Sequence, residues 1–297
     1  MNILNILKAS LLSVFLFLIL ICSNDRCAAA PVSDDEADGR EREESPDQQG
    51  MEDPGMKPYG WKRLGDDLGY YFKTPARFDK KNARNICIFA GMTAFLYAER
   101  KDIRETVLES KTDPRMDIYE TARISSRGAF DPALALLFLA SGKLRHRDYD
   151  IETAQIIMES YALSSIMTGV GSFILTAERP EDGDDIRFFH TQGHGVSLDV
   201  ALSSSFVFPV IDRYLKVKSD DTTGRKVIKR TSQVLLFSLP ALTAMQRMSA
   251  DKHWAPDVFL GGLVGLSTGK ILANVHEKER PSKIDVSFSA GMVQFRF

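Results

Sequence analysis

Three stretches of the chain hold side chains able to do acid–base or nucleophilic chemistry. The first reads QRMSADKHWAPD, in which Arg247 precedes His253 by six residues and Asp257 follows it by four. A carboxylate four residues on can share a helical face with an imidazole and orient one ring nitrogen, leaving the other as a nucleophile or base. Pro256 marks a helix start, whose amino end favours an anion. The second reads HTQGHGVSLDVAL, with His194 between Gly193 and Gly195 just before a helical pattern. Glycines there let a phosphate approach backbone N–H groups. The third, LTAERPEDGD, holds Arg179-Pro180 after a long apolar segment. His146 and His276, in charged surroundings, read as surface residues.

In their order and spacing along the chain, the three segments resemble the superfamily of type 2 phosphatidic acid phosphatases and vanadium haloperoxidases. The superfamily pattern is K-x6-R-P, then P-S-G-H, then S-R-x5-H-x3-D. Arg179-Pro180, Gly193-His194 and the Arg247, His253, Asp257 set match it, within a resemblance spanning roughly residues 60–275. The resemblance implies that His253 attacks phosphorus and forms a phosphohistidine, oriented by Asp257. It implies that His194 protonates the departing alcohol and later activates water. Arg179, Arg247, Gly193 and Gln192 would hold the phosphate oxygens. The implied reaction uses no metal and no cofactor, and spreads transition-state charge over arginines and amides.

The departures are specific. By strict spacing, Ser172 stands where the superfamily has Lys. Thr191 and Gln192 replace Pro and Ser, and Gln246 replaces the Ser before the arginine. Gln246 is expected to donate a neutral hydrogen bond in place of Ser, and Lys252 or His190 could swing toward the space of the Lys. Loss of one such donor costs about 3 kcal/mol, or 10²–10³ in rate. Three functions are compatible with these residues: a phosphomonoesterase, a phosphate- or lipid-binding protein without turnover, or a vanadium haloperoxidase. The third fits least, because vanadate sites of that kind use the Lys absent here. Bromide oxidation with added vanadate would distinguish it.

Apolar residues recur at helical spacing between these segments and around them. Helices are expected near 80–99, 100–110, 115–124, 129–143, 150–177, 195–216, 227–247 and 254–276. The fold class is therefore all-α, a helical bundle of the phosphatase and haloperoxidase type. Asp131-Pro132 reads as a helix start. Gly261, Gly265 and Gly269, four apart on one helix, would let a neighbour approach closely. The helices at 153–177 and 257–274 are apolar around much of their circumference, as in a bundle centre or a membrane. Glu159, Asp199 and Lys270 favour a water-soluble or peripheral bundle. Cys87, in the apolar run NICIFAGMTAFLY, is expected to be buried.

The ends differ from this body, read as residues 58–280. Residues 1–30 join Lys8, an apolar run at 9–22 and Ala28–Ala30, the pattern of a cleaved export signal, with an N-terminal anchor as the alternative. Export points to the periplasm or outer membrane of a Gram-negative-type bacterium. Residues 31–57 are acidic and almost free of apolar side chains, hence an unfolded tether. Residues 281–297 alternate with period two around Ala290-Gly291, which predicts a short β hairpin or strand.

The 297 residues include 38 Lys and Arg against 40 Asp and Glu, a net charge of −2. No basic excess supports nucleic-acid binding. Yet residues 31–55 alone hold −8 and residues 1–30 hold +1, so residues 56–297 are basic by +5. The expected partner is a phosphorylated lipid or small phosphate ester, with peripheral membrane contact. Cys22 and Cys27 lie in the export signal, so cleavage would leave only Cys87 and no internal disulfide or Cys-rich metal site.

Overall fold

A computed structural model describes residues 61–73, 80–189, 194–278, 285–289 and 292–296. The expected signal and tether lie outside them, as do His190, Thr191, Gln192 and Gly193. Among the described residues the chain folds as an all-α bundle with two short antiparallel hairpins.

Helix α1 (Trp61–Lys73) is followed by α2 (Lys80–Ala98), α3 (Arg100–Glu109) and α4 (Asp113–Ala122), which runs into a 3₁₀ turn at Arg123–Ser126. Pro114 starts α4, where its missing N–H costs nothing. Helix α5 (Phe130–Arg145) has Asp131-Pro132 in its first turn and stops at His146, which adopts left-handed geometry with φ 52°. Helix α6 (Asp148–Ile174) opens with Asp148 and Asp150, whose charges complement the helix dipole. It gives way to β1 (Leu175–Ala177), which pairs with β2 (Ile186–Phe188). Then come α7 (Leu198–Ser205), α8 (Val207–Val210) and a π turn at Ile211–Leu215. Helix α9 (Thr223–Ser249) is capped by Thr222, whose Oγ1 accepts from the Arg225 N–H. Helix α10 (Ala255–Lys278) precedes a hairpin of β3 (Asp285–Ser289) and β4 (Met292–Arg296), in which Val286 pairs with Phe295 and Phe288 with Val293.

The centre is α7, buried from Val200 through Ser205, with α10 on one side and α6 and α9 on others. A Cβ at Gly261, Gly265 or Gly269 would overlap the carbonyl oxygens of Ser197, Ala201 and Ser205 respectively. The small-residue stripe therefore seats α10 flush on α7. Phe206, Val207 and Leu215 continue the core toward Ile157 and Leu236.

Several expectations need correction. The helix expected over 150–177 ends at Ile174, because Pro180 and the Asp/Gly-rich tip favour a hairpin; the Glu178 N–H closes it on the Asp185 carbonyl. The helix expected over 195–216 starts at Leu198 and breaks into three pieces around Pro209. Helix α1 was not anticipated, its pattern being diluted by Gly65 and Gly69. Cys87 is exposed, because the apolar run of α2 faces outward with Ile86, Ile88, Phe89 and Phe95. His276 is buried, because helical phase turns it inward with Leu272 and Ala273.

The charges expected to keep the bundle out of lipid are turned inward or paired. Glu159 is buried, Asp199 meets two arginines, and Lys270 binds Asp212 at 2.6 Å. Outward faces of α5, α6 and α9 expose Leu136, Leu144, Ile166, Val170 and Val234. Among the described residues, Ala255–Glu277 is the helix long and apolar enough to cross a membrane by length and composition, and 44% of its apolar window is buried.

Candidate active site

The site forms where three segments of the chain meet at one end of the bundle. Arg179 lies in the tip between β1 and β2. Its carbonyl accepts from the N–H groups of Asp182 and Gly183, a tight turn set by Pro180 and Gly183. Its side chain is partly exposed, with Nη1 3.8 Å from Glu181 Oε1.

The chain then returns toward β1. The His194 N–H donates to the Ala177 carbonyl at 3.1 Å. At the next residue a Cβ would overlap the Leu175 carbonyl oxygen, so glycine is required at 195. Ser172 Oγ accepts from the Val196 N–H at 3.2 Å. Ser172, where the sequence pattern raised the expectation of a Lys, therefore secures the loop after His194.

The third segment comes from the turn between α9 and α10. Arg247 leaves the last turn of α9. Asp251 takes a left-handed φ of 59° and is clamped by Arg104, whose Nε and Nη2 donate to its two oxygens at 2.6 Å. Asp257, in the first turn of α10, accepts from the Trp254 N–H at 3.0 Å through Oδ2. The same oxygen lies 3.8 Å from His253 Nδ1, within ion-pair range and longer than a hydrogen bond. Trp254 packs inside and donates from Nε1 to the Glu178 carbonyl at 2.9 Å, joining this turn to the arginine hairpin. The Ser197 N–H donates to the Asp257 carbonyl at 3.0 Å, joining it to the second segment.

These links bring His194 and His253 together, edge to face, with ring centroids 6.4 Å apart. Burial lowers the His194 imidazole from its ordinary value, and the charges of Arg179, His253 and Arg247 lower it further. Arg247 is half-buried; burial lowers it, Asp199 works against that, and Arg123 and Arg179 add to it. Two arginines and two histidines from three separate segments thus share one electrostatic neighbourhood. Burial raises the Asp257 carboxyl, opposed by His253 and the Trp254 N–H.

Arg123 and Asp199 are site residues that motif spacing did not reveal. Asp199 Oδ2 lies 3.2 Å from Arg247 Nε and 3.3 Å from Arg123 Nε, bridging the two guanidiniums. Arg104 is a further unforeseen positioning residue. Two expectations are corrected. Gln246 spends its amide on Glu120 Oε1 at 2.5 Å. Lys252 pairs with Glu181 at 2.6 Å. Gln192 and Gly193, expected to hold phosphate oxygens, fall outside the described residues. A cleft of about 690 Å³ lined by Lys101, Arg104, Pro180 and Trp254, among others, flanks this site, and neither histidine lines it.

No protein-family model matches the chain, and no curated protein matches it. Among solved structures, the crystal structure of Aquifex aeolicus LpxE is similar, with 13% sequence identity and a TM-score of 0.41 over 59% of this chain and 94% of that one.

Proposed function

We propose that this chain is a phosphatidic acid phosphatase-like phosphomonoesterase of the cell envelope, acting on lipid phosphates or pyrophosphates. The observation behind this reading is the meeting of His194 and His253, Asp257 behind the second ring, with Arg179 and Arg247 in reach. His253 Nε2 attacks phosphorus, the ester P–O bond breaks, and His194 gives its proton to the departing alkoxide. The phosphoimidazole ring gains positive charge, which Asp257 offsets through Nδ1–H. His194, now neutral, takes a proton from water as that water attacks phosphorus. The N–P bond breaks and inorganic phosphate leaves. Arg179 and Arg247 meet the phosphoryl oxygens throughout.

A lipid substrate is supported by apolar side chains beside the site. Phe189 is exposed and stacks edge-on against Phe173 at 6.0 Å, next to exposed Ile174. Acyl chains or a membrane surface would cover these side chains, in keeping with export to the periplasm or outer membrane and peripheral contact there.

The test is release of inorganic phosphate from phosphatidic acid, phosphatidylglycerophosphate, an isoprenoid pyrophosphate and a lipid A phosphate. Wild type should release phosphate and His253→Ala should lose it; equal rates would reject the proposal. The engagement of Ser172 with Val196 favours a second reading, phosphate or lipid binding without turnover, because a hydroxyl at that position carries no positive charge. That reading predicts binding by wild type with no release from any of the four.

A further inference from the structure

Far from this site, at the other end of α10, four ionisable side chains meet in the interior. His276 is fully buried, with Asp67 from α1 and Glu152 and Glu159 from α6 around it, each less than a tenth exposed. His276 and Asp257 are 19 residues apart on one helix, about 28 Å at 1.5 Å per residue. The cluster is therefore separate from the phosphate chemistry, and its own chemistry is independent of that reaction.

The two ring nitrogens have different surroundings. Nδ1 lies 3.2 Å from Glu152 Oε1. Glu152 is braced in turn by Arg213, whose Nη2 donates to Oε2 at 2.8 Å and whose Nε donates to Thr153 Oγ1. A carboxylate held in this way takes the Nδ1–H and fixes the tautomer, as carboxylates behind metal-binding histidines do. Nε2 then offers a lone pair, and it faces two more carboxylates. Glu159 Oε2 and Asp67 Oδ2 each lie 3.4 Å from it. One ligand atom from each of Asp67, Glu159 and His276 lies within 4.8 Å of the other two. Around a cation with ligand bonds of about 2.1 Å, tetrahedral neighbours are about 3.4 Å apart.

Asp67 supplies an independent observation. Its carboxylate is 1% exposed and neither oxygen makes a hydrogen bond. An ionised carboxylate so placed is costly unless a cation answers it. Arg213 answers Glu152, and a divalent ion matches the charge of Asp67 and Glu159. We propose that Asp67, Glu159 and His276 bind a first-row divalent cation, zinc or manganese, with Glu152 and Arg213 orienting His276, and that this ion fastens α1 to α6 and α10. One imidazole and two carboxylates are ligands both ions accept.

The test uses the purified full chain. Metal analysis should find about one equivalent of zinc or manganese per chain, removable with a chelator. Titrating zinc or manganese chloride into the stripped protein should bind one equivalent and raise Tm by roughly 5–10 °C at 100 times Kd. Asp67→Asn and His276→Gln should abolish the shift, whereas His253→Ala should retain it. Absence of stoichiometric metal, with no Tm response to either ion, would leave a proton-bridged cluster and overturn the proposal. A shift that survives both substitutions would also overturn it. Metal content and titration of wild type decide the matter even should a variant fail to fold.

Discussion

Asp257→Asn isolates the charge behind the proposed nucleophile. Asparagine keeps the shape of the side chain, and its carbonyl oxygen can still accept the Trp254 N–H that Asp257 Oδ2 holds at 3.0 Å. What disappears is the negative charge 3.8 Å from His253 Nδ1. At that separation, an effective dielectric of about 20 makes the attraction for a cationic ring about 4 kcal/mol. A nucleophilic ring is neutral and its phosphorylated form cationic, so nearly all of this energy is gained on the way to the phosphohistidine. At 1.36 kcal/mol per tenfold, kcat should fall about 10³-fold. Phosphate release from phosphatidic acid in mixed micelles measures it, with a thermal melt beside it. Substrate affinity should change little and Tm by only a few degrees. A fall in kcat of less than about fivefold would refute the electrostatic role. Full loss of activity with a collapsed melt would make Asp257 a helix cap alone.

The same interactions set other outcomes. His194 must be protonated to act as the acid, and burial, Arg179 and His253 hold it below the ordinary imidazole value; kcat/KM should therefore fall as pH rises through a point on the acid side of 6.5. Arg179→Gln removes one lowering charge, so in the remaining activity this fall should move to higher pH; movement to lower pH would contradict the assignment. Asp131 is buried against Ser205, and burial raises its carboxyl from 3.8 to about 7 despite that hydrogen bond. A raised folded-state value means the folded protein holds the proton more tightly, so stability is lost as pH climbs from about 4 to about 7, by up to about 4 kcal/mol. Urea midpoints of wild type should drop across that window, and Asp131→Asn should flatten the drop.

Motif spacing singled out residues that the fold brings side by side, because each motif sits at a break in helix where the chain must present polar side chains. Arg247, His253 and Asp257 span one α9–α10 turn, so their sequence separations translate directly into space. Arg123 and Asp199 lie 76 residues apart and touch only through tertiary folding, so no local pattern revealed them. Burial was read least well where polarity and position disagree. His276 stands in a charged run, yet helical phase points it inward; Cys87 stands in an apolar run that faces out. Both errors share one cause, an interior holding ionisable groups and an exterior rich in apolar ones. The fold class survived them, since helical periodicity records that a helix has two faces without recording which is inside.

The spacing of the two imidazoles is set by how closely α7 and α10 lie together. Both helices begin at the site, and the Ser197 N–H to Asp257 carbonyl bond fixes their relative height there. Gly261 meets Ser197 at the site end of the contact, whereas Gly269 meets Ser205 two turns away. Alanine at either position gains helix propensity of about 1 kcal/mol but must force the helices apart, an overpacking cost of about 1–3 kcal/mol. Gly261→Ala and Gly269→Ala should therefore lower Tm by similar amounts. Their effects on turnover should differ, because only the first separates the start of α7 from the start of α10. A 1 Å misplacement costs on the order of 10²-fold in rate. Gly261→Ala should lose turnover on that scale while Gly269→Ala stays within a few-fold of wild type. Equal losses in the two variants would mean that helix contact supports stability alone and that the loops themselves set the distance between the histidines.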